Sequence, residues 1–136
     1  MSKIYLKKNQ LAETLKHCRE TFPEEACGIL AGKDGQVEKV YPTKNVSPTP
    51  YTCYFIDPQE QFKIFKELEK ENWEILAIYH SHTHTQAYPS ATDCKLAVYS
   101  DVSYLIISLA NPNEPVIKSY TIREGKIKEE EVELND

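Results

Sequence analysis

Ten consecutive residues, WEILAIYHSH (Trp73 to His82), are apolar almost throughout and end in two histidines separated by a serine. A run of this length with nonpolar side chains on both faces predicts a central strand covered by other elements, with its polar C-terminal end delivered to a surface. Side chains alternate along a strand, so His80 and His82 face one way and Ser81 faces into the other layer. The flanking sequence predicts what covers this strand. SKIYLKK (from Ser2) alternates as a strand, Asn9 then caps a helix with Leu11, Leu15 and Cys18 on one face, and Pro23 ends it. ACGILAG and QVEKVYPTKNV form strands joined by a Lys33-Asp34-Gly35 turn, and YTCYFI (Tyr51 to Ile56) reads as a further strand after the SPTP break. Asp57 and Pro58 start a second helix striped by Phe62, Phe65 and Leu68 and running to Asn72. Ser90 to Ser100 reads as a third helix, followed by the strand VSYLIISLA and two more strands hinged at Glu124-Gly125. The 136 residues therefore predict an α/β fold: a single domain, residues 1–136, with one mixed β-sheet and flanking helices.

Charge and composition narrow the function. A net charge of -5, with acidic residues gathered in KEEEVELND at positions 128–136, argues against binding nucleic acid or an anionic membrane. The longest apolar runs, such as LIISLA, are far shorter than the roughly 20 residues of a bilayer span. MSKIYLKKNQ has no apolar core or cleavage site, so a cytoplasmic protein is expected. Cys18, Cys27, Cys53 and Cys94 include no CxxC pair and are read as small buried hydrophobes. The oligomeric state is not encoded in any pattern here.

The chemistry concentrates in YHSHTHTQAYPSATD (Tyr79 to Asp93). Two imidazoles on one strand face can share an ion. A catalytic zinc needs three protein ligands and a fourth position left to water, and Asp93, in the first turn of the third helix, is the obvious third donor. Ser90 and Asp93 also fit a helix-capping box, whose usual partner is Glu or Gln. His84 shares the parity of His80 and His82 if the strand continues, which would make a three-histidine site; a bend after His82 would leave it as a loop residue. Metal-activated water also needs a base that takes its proton and hands it to the leaving group. Glu25, immediately before ACGILAG, and its neighbour Glu24 are equal candidates on the residues alone.

Pro-Glu-Glu-Ala-Cys-Gly (Pro23 to Gly28), followed by His-Ser-His, seven residues, Ser90, two residues and Asp93, resembles the JAMM or MPN-plus metalloprotease family. The match is to its small prokaryotic branch, which includes peptidases acting on ubiquitin-like sulfur carriers, and it extends over nearly the whole chain. The resemblance implies the cytidine deaminase-like JAMM/MPN fold, a Zn2+ ion held by His80, His82 and Asp93, Glu25 as general acid/base, and Ser90 assisting the oxyanion. It also implies, as substrate and partner, a ubiquitin-like or sulfur-carrier protein with a C-terminal Gly-Gly. Thr83 and His84 stand where many members have proline after the second histidine; that difference bears on substrate and leaves the ligand set intact. A zinc hydrolase of small amino-acid amides and a non-catalytic MPN scaffold are the rival expectations.

Overall fold

The computed structural model describes residues 3–136. In chain order the elements are β1 (Lys3–Lys7), α1 (Lys8–Thr21), β2 (Cys27–Lys33), β3 (Gln36–Thr43), α2 (Pro58–Glu71), β4 (Glu74–His82), α3 (Ala91–Leu96), β5 (Ser103–Ser108), β6 (Val116–Arg123) and β7 (Lys126–Asn135). The strands lie in the order β1-β3-β2-β4-β5-β6-β7, and β1 closes the sheet by pairing with β7. The sheet is mixed: β4 runs antiparallel to β2 and parallel to β5, with His80 opposite Cys27 on one side and Ile106 on the other.

Alternation along β4 divides the interior. Ile78 faces a cluster that contains Ile64 and Leu68 of α2 with Ile29, Tyr104 and Ile106. Ala77 and Tyr79 face the opposite cluster, with Cys18 of α1, Leu30, Leu105 and Ile107. His80 has the parity of Ile78 and therefore emerges on the α2 side. Gly28 of β2 lies against the Tyr79 ring so closely that a Cβ would overlap it. The Tyr79 hydroxyl is in turn hydrogen-bonded to Nδ1 of His17 in α1 at 2.7 Å. The glycine opposite Tyr79 in the β2–β4 ladder thus leaves room for the ring.

Both tight turns fall where expected, with Asp34 and Gly35, then Glu124 and Gly125, at positive φ. Several expectations are corrected. Ser2 lies outside the described residues. Asn9 does not cap α1: the helix begins at Lys8, and the Gln10 side chain accepts from the Lys7 amide at 2.9 Å. YTCYFI is not a strand; it forms a loop with one bridge between Asn45 and Ile56, so two strands, not three, separate α1 from α2. The Asn45 amide holds the backbone polar groups that a strand partner would have taken. In α2 the buried pair is Ile64 and Leu68, one turn apart, while Phe62 and Phe65 are 60% and 39% exposed. A spacing of three residues drifts around a helix of 3.6 residues per turn, and Phe62 instead packs under the Lys66 ammonium. The third helix ends at Leu96 rather than Ser100. Cys18 and Cys27 are buried as expected, but Cys53 and Cys94 are only partly so. Among the described residues no helix is long and apolar enough to cross a membrane.

Candidate metal centre

The last three residues of β4 and the first turn of α3 meet at one point. His80 Nε2 and His82 Nε2 lie 3.1 Å apart, and Asp93 Oδ2 lies 3.1 Å from the first and 2.9 Å from the second. All three side chains are buried, with relative exposures of 1%, 4% and 6%. Asp93 is aimed by its own helix start: Ser90 Oγ accepts from the Asp93 amide at 3.0 Å, and the Ser90 amide donates to Asp93 Oδ2 at 2.9 Å. The capping box is therefore formed, and the oxygen that completes it is the one that faces both histidines.

The donor set fits a zinc ion. Ligand atoms about 2.0–2.2 Å from a tetrahedral zinc lie about 3.3–3.6 Å from one another, close to the separations here. His82 donates through Nδ1 to the Gln86 carbonyl at 2.8 Å, so in the neutral ring Nε2 is the nitrogen that can offer a lone pair to a metal. Two imidazole nitrogens and a carboxylate oxygen lie within hydrogen-bond reach of one another. Their titration reflects this. Burial opposes ionisation of Asp93, but hydrogen bonds from His80 and His82 hold the carboxyl well below the usual carboxylate range. Burial pushes His80 down, outweighing Asp93; in His82 the Asp93 and Gln86 hydrogen bonds overcome burial and raise it.

Glu25 stands beside this cluster, two residues before β2. Its amide donates to the Pro50 carbonyl at 2.8 Å, and Ser81 grips the next residue, Ala26, accepting its amide at 2.8 Å. The carboxylate is buried, and its Oε1 has no hydrogen-bond partner among the described residues. Burial pushes its pKa up to about 7, with His82 opposing and Asp93 adding to the rise. Glu25, Ser90 and His82 line one cavity of about 200 Å³ together with Tyr51, Thr83 and His84. Glu24 does not line it. The Ser90 hydroxyl accepts from Asp93 and keeps its own hydrogen free to donate.

The three-histidine alternative is not formed: the chain bends after His82, and His84 is exposed, its ring 5.6 Å from that of Phe22. The Cys27 thiol points away to Thr43 Oγ1 at 3.4 Å, and burial raises its pKa to about 11. Two residues beside the site were not foreseen from sequence. Tyr54 stacks on His80, and Asn45 binds the carbonyls of Glu25 and Cys53. An asparagine just ahead of a Ser-Pro break was the available signal, since such residues commonly organise turns through their own side chains.

Fold and cluster together define an α/β domain of the JAMM/MPN type, with two strand histidines and a helix-start carboxylate converging beside a cavity that His82 lines. The family of prokaryotic homologs of the JAB domain matches residues 7–123, and the chain belongs to that family. It is 41% identical over 120 residues to the CysO-cysteine peptidase of Mycobacterium tuberculosis, covering 87% of this chain and 82% of the relative. A probable TtuB-protein conjugate cleaving protease of Thermus thermophilus is 37% identical over 123 residues, covering 90% and 78%. The solution structure of a Desulfitobacterium hafniense protein superposes with a TM-score of 0.89 at 44% identity, covering 98% of this chain and 93% of that one.

Proposed function

We propose that residues 1–136 act as one zinc-dependent metallopeptidase domain that hydrolyses the amide bond after the C-terminal Gly-Gly of a ubiquitin-like or sulfur-carrier protein. The observation that carries this reading is the convergence of His80, His82 and Asp93 on one point beside the buried carboxylate of Glu25. The names of two relatives, a CysO-cysteine peptidase and a TtuB-protein conjugate cleaving protease, support small carrier proteins as the substrate class.

On this reading His80, His82 and Asp93 hold the ion, which when bound polarises the scissile carbonyl and acidifies water. Glu25 takes the proton of the attacking water at its carboxylate and returns it to the departing amine. A carboxyl whose pKa lies near 7 is suited to both directions of that transfer at neutral pH. Ser90 donates its free hydroxyl hydrogen to the oxygen on which charge develops. Gln86 keeps His82 in the required tautomer. The polar walls supplied by Thr52, Thr83 and Thr85 admit a tail without side chains, and its backbone groups can bond to them.

The test is cleavage of a Gly-Gly-tailed carrier joined to cysteine or to a lysine side chain, assayed beside free small amides. Cleavage after the second glycine, lost on chelation and restored by zinc, is the expected result. Turnover of the small amides alone, or cleavage indifferent to chelation, overturns the proposal.

A further inference from the structure

His80 and His82 are held by different means. A metal-binding imidazole ordinarily donates its second N–H to a carbonyl or carboxylate, which fixes its tautomer and orientation. His82 does so through Gln86. His80 does not: its Nδ1 is buried and has no hydrogen-bond partner among the described residues. What His80 has is a tyrosine ring. Tyr54 lies nearly parallel to it, with centroids 4.4 Å apart and planes at 22°.

Tyr54 belongs to the loop between β3 and α2, whose backbone has almost no ladder of its own. One side chain organises it. Asn45 donates to the carbonyls of Cys53 and Glu25, each at 2.9 Å, and accepts from the Phe55 amide at 3.0 Å. The residues on both sides of Tyr54 are thereby tied to the backbone of Glu25. The loop thus fixes a ring against one histidine of the cluster and references it to the buried carboxylate opposite.

We infer that Tyr54, clamped by Asn45, is the positioning residue of His80 and supplies by ring stacking the constraint that a hydrogen bond at Nδ1 supplies elsewhere. The inference rests on the zinc reading of the centre. An imidazole that binds a cation is polarised positive, and the face of an aromatic ring is negative, so the stack strengthens as the ion binds. A leucine keeps the position apolar without offering that face, whereas phenylalanine preserves it.

The experiment compares wild type, Tyr54→Leu and Tyr54→Phe, prepared metal-free. Zinc affinity is measured by competition with a chromophoric chelator, and ligand geometry by the visible spectrum of the cobalt(II) form. Tyr54→Leu is expected to bind zinc roughly ten- to a hundredfold more weakly, the range for loss of an outer-shell partner, with a changed cobalt spectrum. Tyr54→Phe is expected to restore both. Wild-type affinity in Tyr54→Leu overturns the inference, and so does a Tyr54→Phe protein as weak as Tyr54→Leu, which would assign the effect to the hydroxyl. If circular dichroism shows Tyr54→Leu unfolded, Tyr54→Met carries the same comparison with the same two readings. Failure of the wild type itself to bind zinc removes the metal reading; normal binding by wild type and leucine variant alike removes only the role of Tyr54.

Discussion

α2 and α3 begin by the same rule and end up with different duties. At α2, Asp57 accepts the Gln59 amide at 3.0 Å in a solvent-exposed contact, and Pro58 fills the first turn. At α3, Ser90 is the cap and Asp93 sits three residues on, its Oδ2 accepting the Ser90 amide while also facing His80 and His82. Both carboxylates satisfy amides that a helix start leaves unpaired. The difference lies in what stands opposite: solvent for Asp57, and for Asp93 the polar end of a buried strand. A capping pattern is therefore neutral about function until the strand it faces is known. The six residues of α3 are also too few to hold a helix by themselves, so its start depends on the contacts it makes with β4.

The substitution that breaks this comparison most sharply is Asp→Asn at both helix starts. At Asp57 asparagine caps as well as aspartate does, and at Asp93 its side-chain oxygen can still accept the Ser90 amide, so α2 and α3 should both survive. Asp57→Asn should keep a full equivalent of zinc and normal turnover, whereas Asp93→Asn should lose bound zinc after dialysis and with it nearly all cleavage. Elemental analysis and a steady-state assay on the two purified proteins decide it. Zinc retained in full by Asp93→Asn would make Asp93 a cap of the same kind as Asp57. The next largest effect separates holding the ion from using it. Glu25→Gln should keep zinc yet lower kcat by roughly 10²–10⁴-fold, the usual contribution of a positioned acid/base. A variant with unchanged kcat would remove Glu25 from the proton path.

A third prediction uses the contrast between Asp93 and Glu25 in the metal-free protein. Glu25 has a pKa of about 7 in the fold, raised first by burial, against about 4.3 in an unfolded chain. Its stabilising contribution is therefore full below the unfolded value, declines as pH rises, and is gone above about 7. Asp93 is depressed, so its contribution is present above the ordinary aspartate range and is lost only in strong acid. Melting temperatures in chelator between pH 5 and 8 should fall with rising pH in wild type and fall less in Glu25→Gln. Parallel profiles would show that Glu25 does not hold its proton more tightly in the fold.

How much of this was legible in the sequence follows from how local each signal is. Residue parity along WEILAIYHSH placed His80 and His82 on one face, and the pattern from Ser90 to Asp93 placed the carboxylate in a first turn, because both depend on backbone periodicity alone. The choice between Glu24 and Glu25 was not legible from the residues, since it depends on which side of the chain faces the cavity as β2 begins. YTCYFI was misread because a short, mostly apolar run after a Ser-Pro break resembles a strand, yet Asn45, a residue outside the segment, takes the amide and carbonyl groups that would have built a ladder. The α2 stripe was misread for a related reason: three large side chains at a spacing of three look like a face, but the packing selects Ile64 and Leu68. Tyr54 against His80 was beyond reach, because the stack joins a loop to a strand through no pattern in either.

The smallest expected effect returns to the two caps themselves. Removing one capping acceptor costs about 1 kcal/mol, so Asp57→Ala and Ser90→Ala should each lower the melting temperature of the metal-free protein by a few degrees. Adding zinc should separate them. The Asp57 hydrogen bond is confined to its own helix start, so the deficit of Asp57→Ala should be the same with and without the ion. Ser90 Oγ holds the Asp93 amide, and loosening that hold should weaken zinc binding. Because ligand binding adds to the stability of the folded state in proportion to the logarithm of its affinity, the deficit of Ser90→Ala should grow when zinc is present. Equal deficits in the two states would mean that Ser90 caps α3 only as Asp57 caps α2, and that the aim of the Asp93 carboxylate does not depend on the Ser90 hydroxyl.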